Sequence, residues 1–338
     1  MTALEPRIAD YLAHRMPEAS DVQVDDLARI HGGSSQETFR FRARWQQAGD
    51  VEERRLILRR APEAGLVNAE RDLEFTVYSA LAGSGVPIPT AHFLELDAQW
   101  LDRPFFIMDL VDGKPGHFFT SADPYEGQSG AVGRNFWHHL GTLAAQDRRA
   151  LGLGSLRNGD ADGNYWSREL DHWEAALDAG EAVIEPVVRG ALRWLRRNPP
   201  PPAAKPAIVH GDYRCGNFLF LPDGQVSAVL DWEMCHVGDP LEDIAWALNP
   251  MWSMEKYFPL EEGLAIWEEA SGLTIDHAAL DWWRLFAPVK ACGIWTTAEA
   301  SFQEGTSREM IIALTAVRAN SFHRREILDR MAQRGVMG

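Results

Sequence analysis

The chain has little cysteine. Cys215, Cys235 and Cys292 are odd in number, and none belongs to a Cys-x-x-Cys pair, which argues against a disulfide framework and a thiolate zinc site. A reducing cytosol is therefore the simplest expected compartment. Long apolar runs are also missing. No stretch approaches the roughly 20 residues of a membrane-spanning helix, and Glu5, Arg7 and Asp10 stand where a signal peptide would carry its apolar segment. Positive charge is scarce, with 33 Lys and Arg facing 49 Asp and Glu for a formal net charge of −16. Such a surface repels nucleic acid and anionic membrane except at a local basic patch. There is no internal repeat and no long low-complexity segment. What is present is a 338-residue chain, 46% apolar. It is long enough for two lobes with a sizeable core, and its charge suits a small-molecule partner.

Periodicity changes along the chain. Ile8, Leu12 and Met16 share a helical face before Pro17. Residues 24–59 read as a small antiparallel sheet around a glycine-serine turn, with Thr38 to Phe41 and Leu56 to Leu58 as strands. Residues 68–81 read as a helix on Leu73, Val77 and Leu81, and the run Phe105-Phe106-Ile107-Met108 reads as a buried strand. Beyond residue 113 helices dominate. Residues 134–145 and 171–197 are expected as two helical stretches, the second stopped by Pro199 to Pro202. Short strands follow at Ile208-Val209, Phe218 to Phe220 and Val226 to Leu230, folded about Pro222-Asp223-Gly224. From Leu241 onward the chain is helical and rich in tryptophan.

The strongest chemical signal is His210-Gly211-Asp212-Tyr213-Arg214-Cys215-Gly216-Asn217, followed fourteen residues after the asparagine by Asp231-Trp232-Glu233. Phosphoryl transfer needs a carboxylate that orients the attacking hydroxyl and accepts its proton, and oxygen-bearing side chains that hold Mg²⁺ over the phosphates. Asp212 suits the first role. Asn217 and Asp231 suit the second, since a hairpin between them returns both to one end of paired strands. The competing explanation is an ordinary turn followed by an Asx-rich loop.

These motifs, together with Gly238-Asp239-Pro240 and Asp243-Ile244-Ala245, resemble the aminoglycoside phosphotransferase and choline kinase family. The resemblance extends upstream to Gly32-Gly33-Ser34-Ser35, Leu58-Arg59, Gly85-Val86-Pro87-Ile88-Pro89 and Met108-Asp109-Leu110-Val111-Asp112-Gly113. It is closest to the branch associated with acyl-CoA dehydrogenases. It implies an α+β, bilobal protein-kinase-like fold with a small β-rich N-lobe and a larger, mostly helical C-lobe. Residues 1–111 would form the nucleotide-binding lobe and residues 112–338 the catalytic and acceptor-binding lobe.

The resemblance also implies ATP and Mg²⁺ as cofactors and a small-molecule hydroxyl as phosphate acceptor. Gly33, Ser34 and Ser35 would cover the triphosphate with backbone N–H groups. Arg59 takes the place of the usual strand lysine, with Arg60 the competing cation on the opposite face of the strand. Glu74 would pair with that cation, unless it merely faces solvent on its helix. Asp109 C=O and Val111 N–H would meet the adenine edge. Asp239 would be structural support, and His210 a brace rather than a base. Gln146 replaces a usual histidine with no consequence that can be derived.

A metal site among His138, His139, His210 and His236 is the rival reading, although their spacing matches no ligand motif. Trp246, Trp252, Trp267, Trp282, Trp283 and Trp295 could wall an acceptor pocket or simply pack the core. A protein kinase is disfavoured, because the short interval from Asp231 to Asp239-Pro240 leaves no room for a long activation segment. A nucleotide-binding protein without catalysis is the alternative from another class, with Arg59 its only support. From residue 233 to 281, eleven Asp and Glu face the single Lys256, a wall that would suit a polycationic aminoglycoside. Arg214 and the terminal group Arg318, His323, Arg324, Arg325, Arg330 and Arg334 could instead hold an anionic group such as the phosphates of coenzyme A. The resemblance tilts the expected acceptor toward a hydroxyacyl thioester or similar metabolite.

Overall fold

A computed structural model describes residues 4–30, 36–61, 69–117, 122–159, 163–180, 185–305 and 310–335. The chain divides into two compact units, Met1–Ala82 with Ile88–Asp112, and Gly83–Pro87 with Gly113–Gly338.

The first unit contains helix α1 (Leu4–Arg15), strands β1 (Ser20–Ile30), β2 (Glu37–Gln47) and β3 (Asp50–Arg60), helix α2 (Ala69–Ala80), and strands β4 (Ala91–Glu95) and β5 (Phe105–Asp109). The strands form one antiparallel sheet in the order β1-β2-β3-β5-β4. Between β2 and β3 the chain turns at Ala48 and Gly49, both with positive φ, the backbone that matches the twist of a two-residue hairpin. Tyr11 and Leu12 of α1 pack with Phe41, Trp45, Leu58, Phe105 and Ile107 on one face of the sheet. Phe75 and Tyr78 of α2 meet Phe106 on the other. With both faces covered, β5 carries a continuous apolar run instead of an alternating one.

Arg59 lies opposite Phe106 and Arg60 opposite Phe105. Strand alternation therefore sends Arg59 to the α2 face and Arg60 to the α1 face. Arg60 and Arg103 both reach Glu37 there, at 2.8 and 2.9 Å.

The second unit contains α3 (Ser129–Ala145), α4 (Tyr165–Gly180), α5 (Pro186–Arg197), β6 (Ala207–Val209), β7 (Phe218–Phe220), β8 (Val226–Val229), β9 (His236–Gly238), α6 (Leu241–Ala247), α7 (Leu260–Ser271), α8 (His277–Gln303) and α9 (Met310–Gln333). One expectation is corrected here. Residues 171–197 are not a single helix, because Pro186 opens a new one and Glu185 caps it by accepting the Val187 N–H at 3.2 Å. Strands β6 and β9 pair, as do β7 and β8, each antiparallel. The turn at Pro222-Asp223-Gly224 closes with Gly224 N–H on Leu221 C=O at 2.9 Å. Among the described residues no helix is long and apolar enough to cross a membrane.

Candidate active site

The loop after β6 is fixed before any functional side chain is considered. Asp243, buried on α6, accepts the N–H groups of His210 at 2.7 Å and Gly211 at 2.9 Å. Gly211 has φ +84, and a Cβ there would meet Met234 O at 2.5 Å, so only glycine suits the position. His210 is fully buried. Its Nδ1 accepts the Asp212 N–H at 3.1 Å while its Nε2 bonds the Leu230 carbonyl at 3.0 Å. That pairing places the proton on Nε2, and burial holds the imidazole below its ordinary pKa. His210 is thus a neutral brace.

Asp212 is held by three donors. Oδ1 accepts Arg214 Nε at 2.9 Å and Trp246 Nε1 at 2.7 Å, and Oδ2 accepts Asn217 Nδ2 at 2.6 Å. Asn217 Nδ2 also reaches the Asp212 carbonyl at 2.9 Å. Because the amide nitrogen is spent on Asp212, the oxygen is the atom Asn217 has to offer a ligand. The Asn217 carbonyl accepts the Leu230 N–H at 2.8 Å, which sets Asn217 beside the end of β8, one residue before Asp231. Asp231 adopts the left-handed conformation, φ 71 and ψ 58, and caps the short turn Trp232–Met234. A non-glycine residue held there carries backbone strain of the kind that gathers at functional sites. An amide oxygen and a carboxylate carried by neighbouring ends of one hairpin form the all-oxygen donor set that suits Mg²⁺.

The first unit holds its own polar cluster. Arg59 Nη1 meets Glu74 Oε1 at 2.7 Å, and Gln36 bridges the two, accepting from Arg59 Nε at 3.3 Å and donating to Glu74 Oε2 at 3.1 Å. Glu74 is buried, so the alternative of a solvated helix face is overturned. Asp109 ends β5, its carboxylate 2.7 Å from His92 Nε2, and Val111 lies two residues beyond. Gly33, Ser34 and Ser35 fall outside the described residues.

The expected surface patches are smaller than their sequence counts. Asp239, Glu242 and Asp243 belong to the interior and not to an acidic wall. In the basic terminal helix Arg330 pairs with Glu326, Arg334 with Asp281 and Arg324 with Glu185. Gln146 caps α3 and donates to Ser84 C=O at 3.2 Å and Thr142 C=O at 2.8 Å.

Asp239, expected as structural support, and residues not expected in such a role complete the region. Asp239 accepts the Leu241 N–H at 2.9 Å and Trp283 Nε1 at 3.0 Å; burial nevertheless pushes its carboxyl up to about 6. Lys290 of α8 is buried, and its Nζ donates to Gly211 C=O at 2.6 Å and Glu242 Oε1 at 2.9 Å. The other Glu242 oxygen accepts His236 Nε2 at 3.1 Å, and His236 Nδ1 bonds the Met234 carbonyl at 2.9 Å. Glu169 takes Arg157 at 2.5 Å and Asn158 at 2.7 Å, with His236 Nε2 at 3.5 Å.

Glu169, His236 and Glu242 come close enough together to hold a metal, but protein cations already fill that role. Both His236 nitrogens face acceptors, which leaves no lone pair for an ion. Burial lowers the imidazole pKa, yet Glu169 and Glu242 outweigh it and raise it above its ordinary value. The lone lysine in the apolar stretch Leu285 to Cys292 was the available sequence signal, since a buried lysine is almost always paired. Nothing in the sequence named its partner, 48 residues away.

Residues 26–283, more than half of the chain, match the profile of the phosphotransferase enzyme family. The chain belongs to that family. Acyl-CoA dehydrogenase family member 11 of Gallus gallus is 32% identical over 198 residues, covering 56% of this chain and 24% of its own length. The chain spans only about a fifth to a third of the first curated relatives it matches. Among solved structures, a Ralstonia eutropha protein provisionally described as an aminoglycoside phosphotransferase superimposes with TM-score 0.73 at 22% identity, over 96% of this chain and 98% of that one. A thermostable mutant aminoglycoside phosphotransferase in ternary complex with ADP and hygromycin B does so with TM-score 0.53 at 17% identity, over 94% and 98%. These likenesses establish the expected α+β protein-kinase-like fold, with its small β-rich part and larger helical part.

Proposed function

We propose that this phosphotransferase moves the γ-phosphate of ATP onto a hydroxyl group of a small molecule, with Asp212 as the proton acceptor. The observation that carries the reading is the Asp212 carboxylate fixed by Arg214, Trp246 and Asn217, while Asn217 also reaches through its carbonyl to the strand end that bears Asp231. A carboxylate so oriented can take the proton of an incoming hydroxyl as its oxygen bonds to the γ-phosphorus and the β–γ bridging bond breaks, releasing ADP. Asn217 and Asp231 would hold Mg²⁺, which when bound supplies charge neutralisation over the phosphates.

Arg59, oriented by Glu74, would contact the triphosphate through its forked donors. Gly33, Ser34 and Ser35 would cradle phosphate oxygens, and Asp109 C=O and Val111 N–H would receive the adenine edge. The ADP held by the aminoglycoside phosphotransferase in complex with hygromycin B supports the nucleotide part of this reading.

For the acceptor, a hydroxyacyl thioester or similar metabolite is favoured over an aminoglycoside. The curated relatives are acyl-CoA dehydrogenase family members, and three of the eleven carboxylates that would attract a polycation are buried. ADP release measured across hydroxyacyl thioesters, choline, sugars and aminoglycosides tests both levels. Release with a thioester alone supports the full reading. Efficient turnover of an aminoglycoside with no release from thioesters reverses the acceptor, and no release with any alcohol, despite nucleotide binding, favours a binding protein without catalysis.

A further inference from the structure

Lys290, Glu242 and His236 have no place in the chemistry just described, yet they form one buried chain between its two halves. At one end the Lys290 ammonium donates to the Gly211 carbonyl at 2.6 Å, immediately before Asp212. The same ammonium lies 5.0 Å from the centre of the Trp246 ring, whose N–H bonds Asp212. At the other end His236 donates to the Met234 carbonyl at 2.9 Å, in the turn that Asp231 caps. Glu242 joins the ends, one oxygen on each cation, at 2.9 and 3.1 Å. The two loops also touch directly where Gly211 leaves no room for a Cβ against Met234 O.

Packing alone could hold two loops together. Three ionisable groups buried from water demand a stronger reason, because each ion loses its hydration and must be compensated by well-aimed partners. Every polar atom in the chain is directed to a specific acceptor or donor, and the two carbonyls it grips lie one residue before Asp212 and three residues after Asp231.

We propose that Lys290, Glu242 and His236 form a positioning clamp that sets the spacing of Asp212 and Asp231. The clamp deepens the phosphotransfer reading but depends on it only for its kinetic arm. None of the three touches the reacting groups. They act by fixing the backbone that carries the proton acceptor relative to the backbone that carries the proposed metal ligand. Displacement of either by about 1 Å would cost catalysis up to a hundredfold.

The test uses the full chain with Lys290→Met, and Lys290→Met/Glu242→Gln as a second variant that leaves no uncompensated carboxylate should the first fail to fold. In the folded variant, amide hydrogen exchange should quicken by about tenfold or more in peptides covering 210–217 and 230–236 together, the equivalent of one lost charge-assisted hydrogen bond. The β2–β3 hairpin should be unchanged. With Mg·ATP and water as the only acceptor, ADP release should fall about ten- to hundredfold while the Kd for Mg·ATP changes less than about twofold, and Lys290→Arg should restore part of the rate. Unchanged exchange in either loop overturns the clamp, as does a Kd that weakens in step with the rate. Quickened exchange in both loops, in a protein whose wild type releases no ADP with any acceptor, upholds the clamp and removes the phosphotransfer reading instead.

Discussion

Arg59–Glu74 in the first unit and Lys290–Glu242 in the second are both buried cation–carboxylate pairs, and the two differ in what surrounds them. Arg59 and Glu74 meet at 2.7 Å, with the Arg59 side chain 11% exposed and Glu74 closed from solvent. Lys290 and Glu242 meet at 2.9 Å with exposures of 1% and 2%, and the remaining partners of the pair are backbone and His236. A cation that keeps some exposure can still meet a phosphate. A pair closed on all sides can only hold structure. Under the proposed function the same chemistry would serve a ligand in one unit and a scaffold in the other, with burial deciding which.

The largest effect that sharpens this contrast concerns ligand binding, where the open groups should matter and the closed ones should not. Asp231→Ala is expected to abolish Mg²⁺-dependent ATP binding, and Asn217→Ala to weaken it less, because a carboxylate compensates metal charge better than an amide. Titration calorimetry with Mg·ATP decides, and equal affinity in Asp231→Ala and wild type would sink the metal assignment.

Stability should show the reverse ranking. Glu242→Ala strands the charges of Lys290 and His236 in the interior and should cost about 3–5 kcal/mol. Glu74→Gln leaves Arg59 able to turn to water and should cost only about 1–3 kcal/mol. Urea unfolding of both variants measures the gap, and equal losses would mean that the two pairs do the same work.

A smaller effect is the dependence of stability on pH. The His236 pKa is raised in the folded chain, where burial opposes the charge but Glu169 and Glu242 outweigh it. Its contribution is therefore full below the ordinary value of about 6.5 and lost as pH climbs through the raised one. Asp239 acts with the same sign in a lower window. Its carboxyl is pushed from 3.8 to about 6 by burial, so the folded chain binds the extra proton and loses that advantage as pH rises between those values. Melting temperature followed from pH 4 to 9 should show one component that His236→Gln removes and one that Asp239→Asn removes. A pH profile that His236→Gln leaves unchanged would contradict the imidazolium assignment.

The contrast also explains which parts were legible before any coordinates. Asp212, Asn217 and Asp231 stand in one short stretch around a hairpin signal, so the roles proposed for them could be assigned from order and spacing. Glu74 could be matched to Arg59 only through a family resemblance; strand alternation put Arg59 and Arg60 on opposite faces but did not say which would meet α2, and so did not show that Glu74 is buried. Lys290 and Trp246 were out of reach. Their partners, Glu242 and Asp212, are 48 and 34 residues away, and no local period records which helix faces will meet. The patches failed for a related reason. A charge count along residues 233–281 does not know that α6 turns Glu242 and Asp243 inward. The single helix expected over 171–197 overlooked Pro186, whose preference for a first helical turn was itself legible.

The central claim is that Asp212 takes the proton of the attacking hydroxyl. The most direct measurement is the turnover of Asp212→Asn beside its affinity for Mg·ATP, with the acceptor that the ADP-release screen identifies. The account predicts a rate about 10² to 10⁴ lower with nucleotide binding retained, since the amide keeps the shape of the carboxylate but cannot accept the proton. Turnover equal to that of the wild type would contradict it.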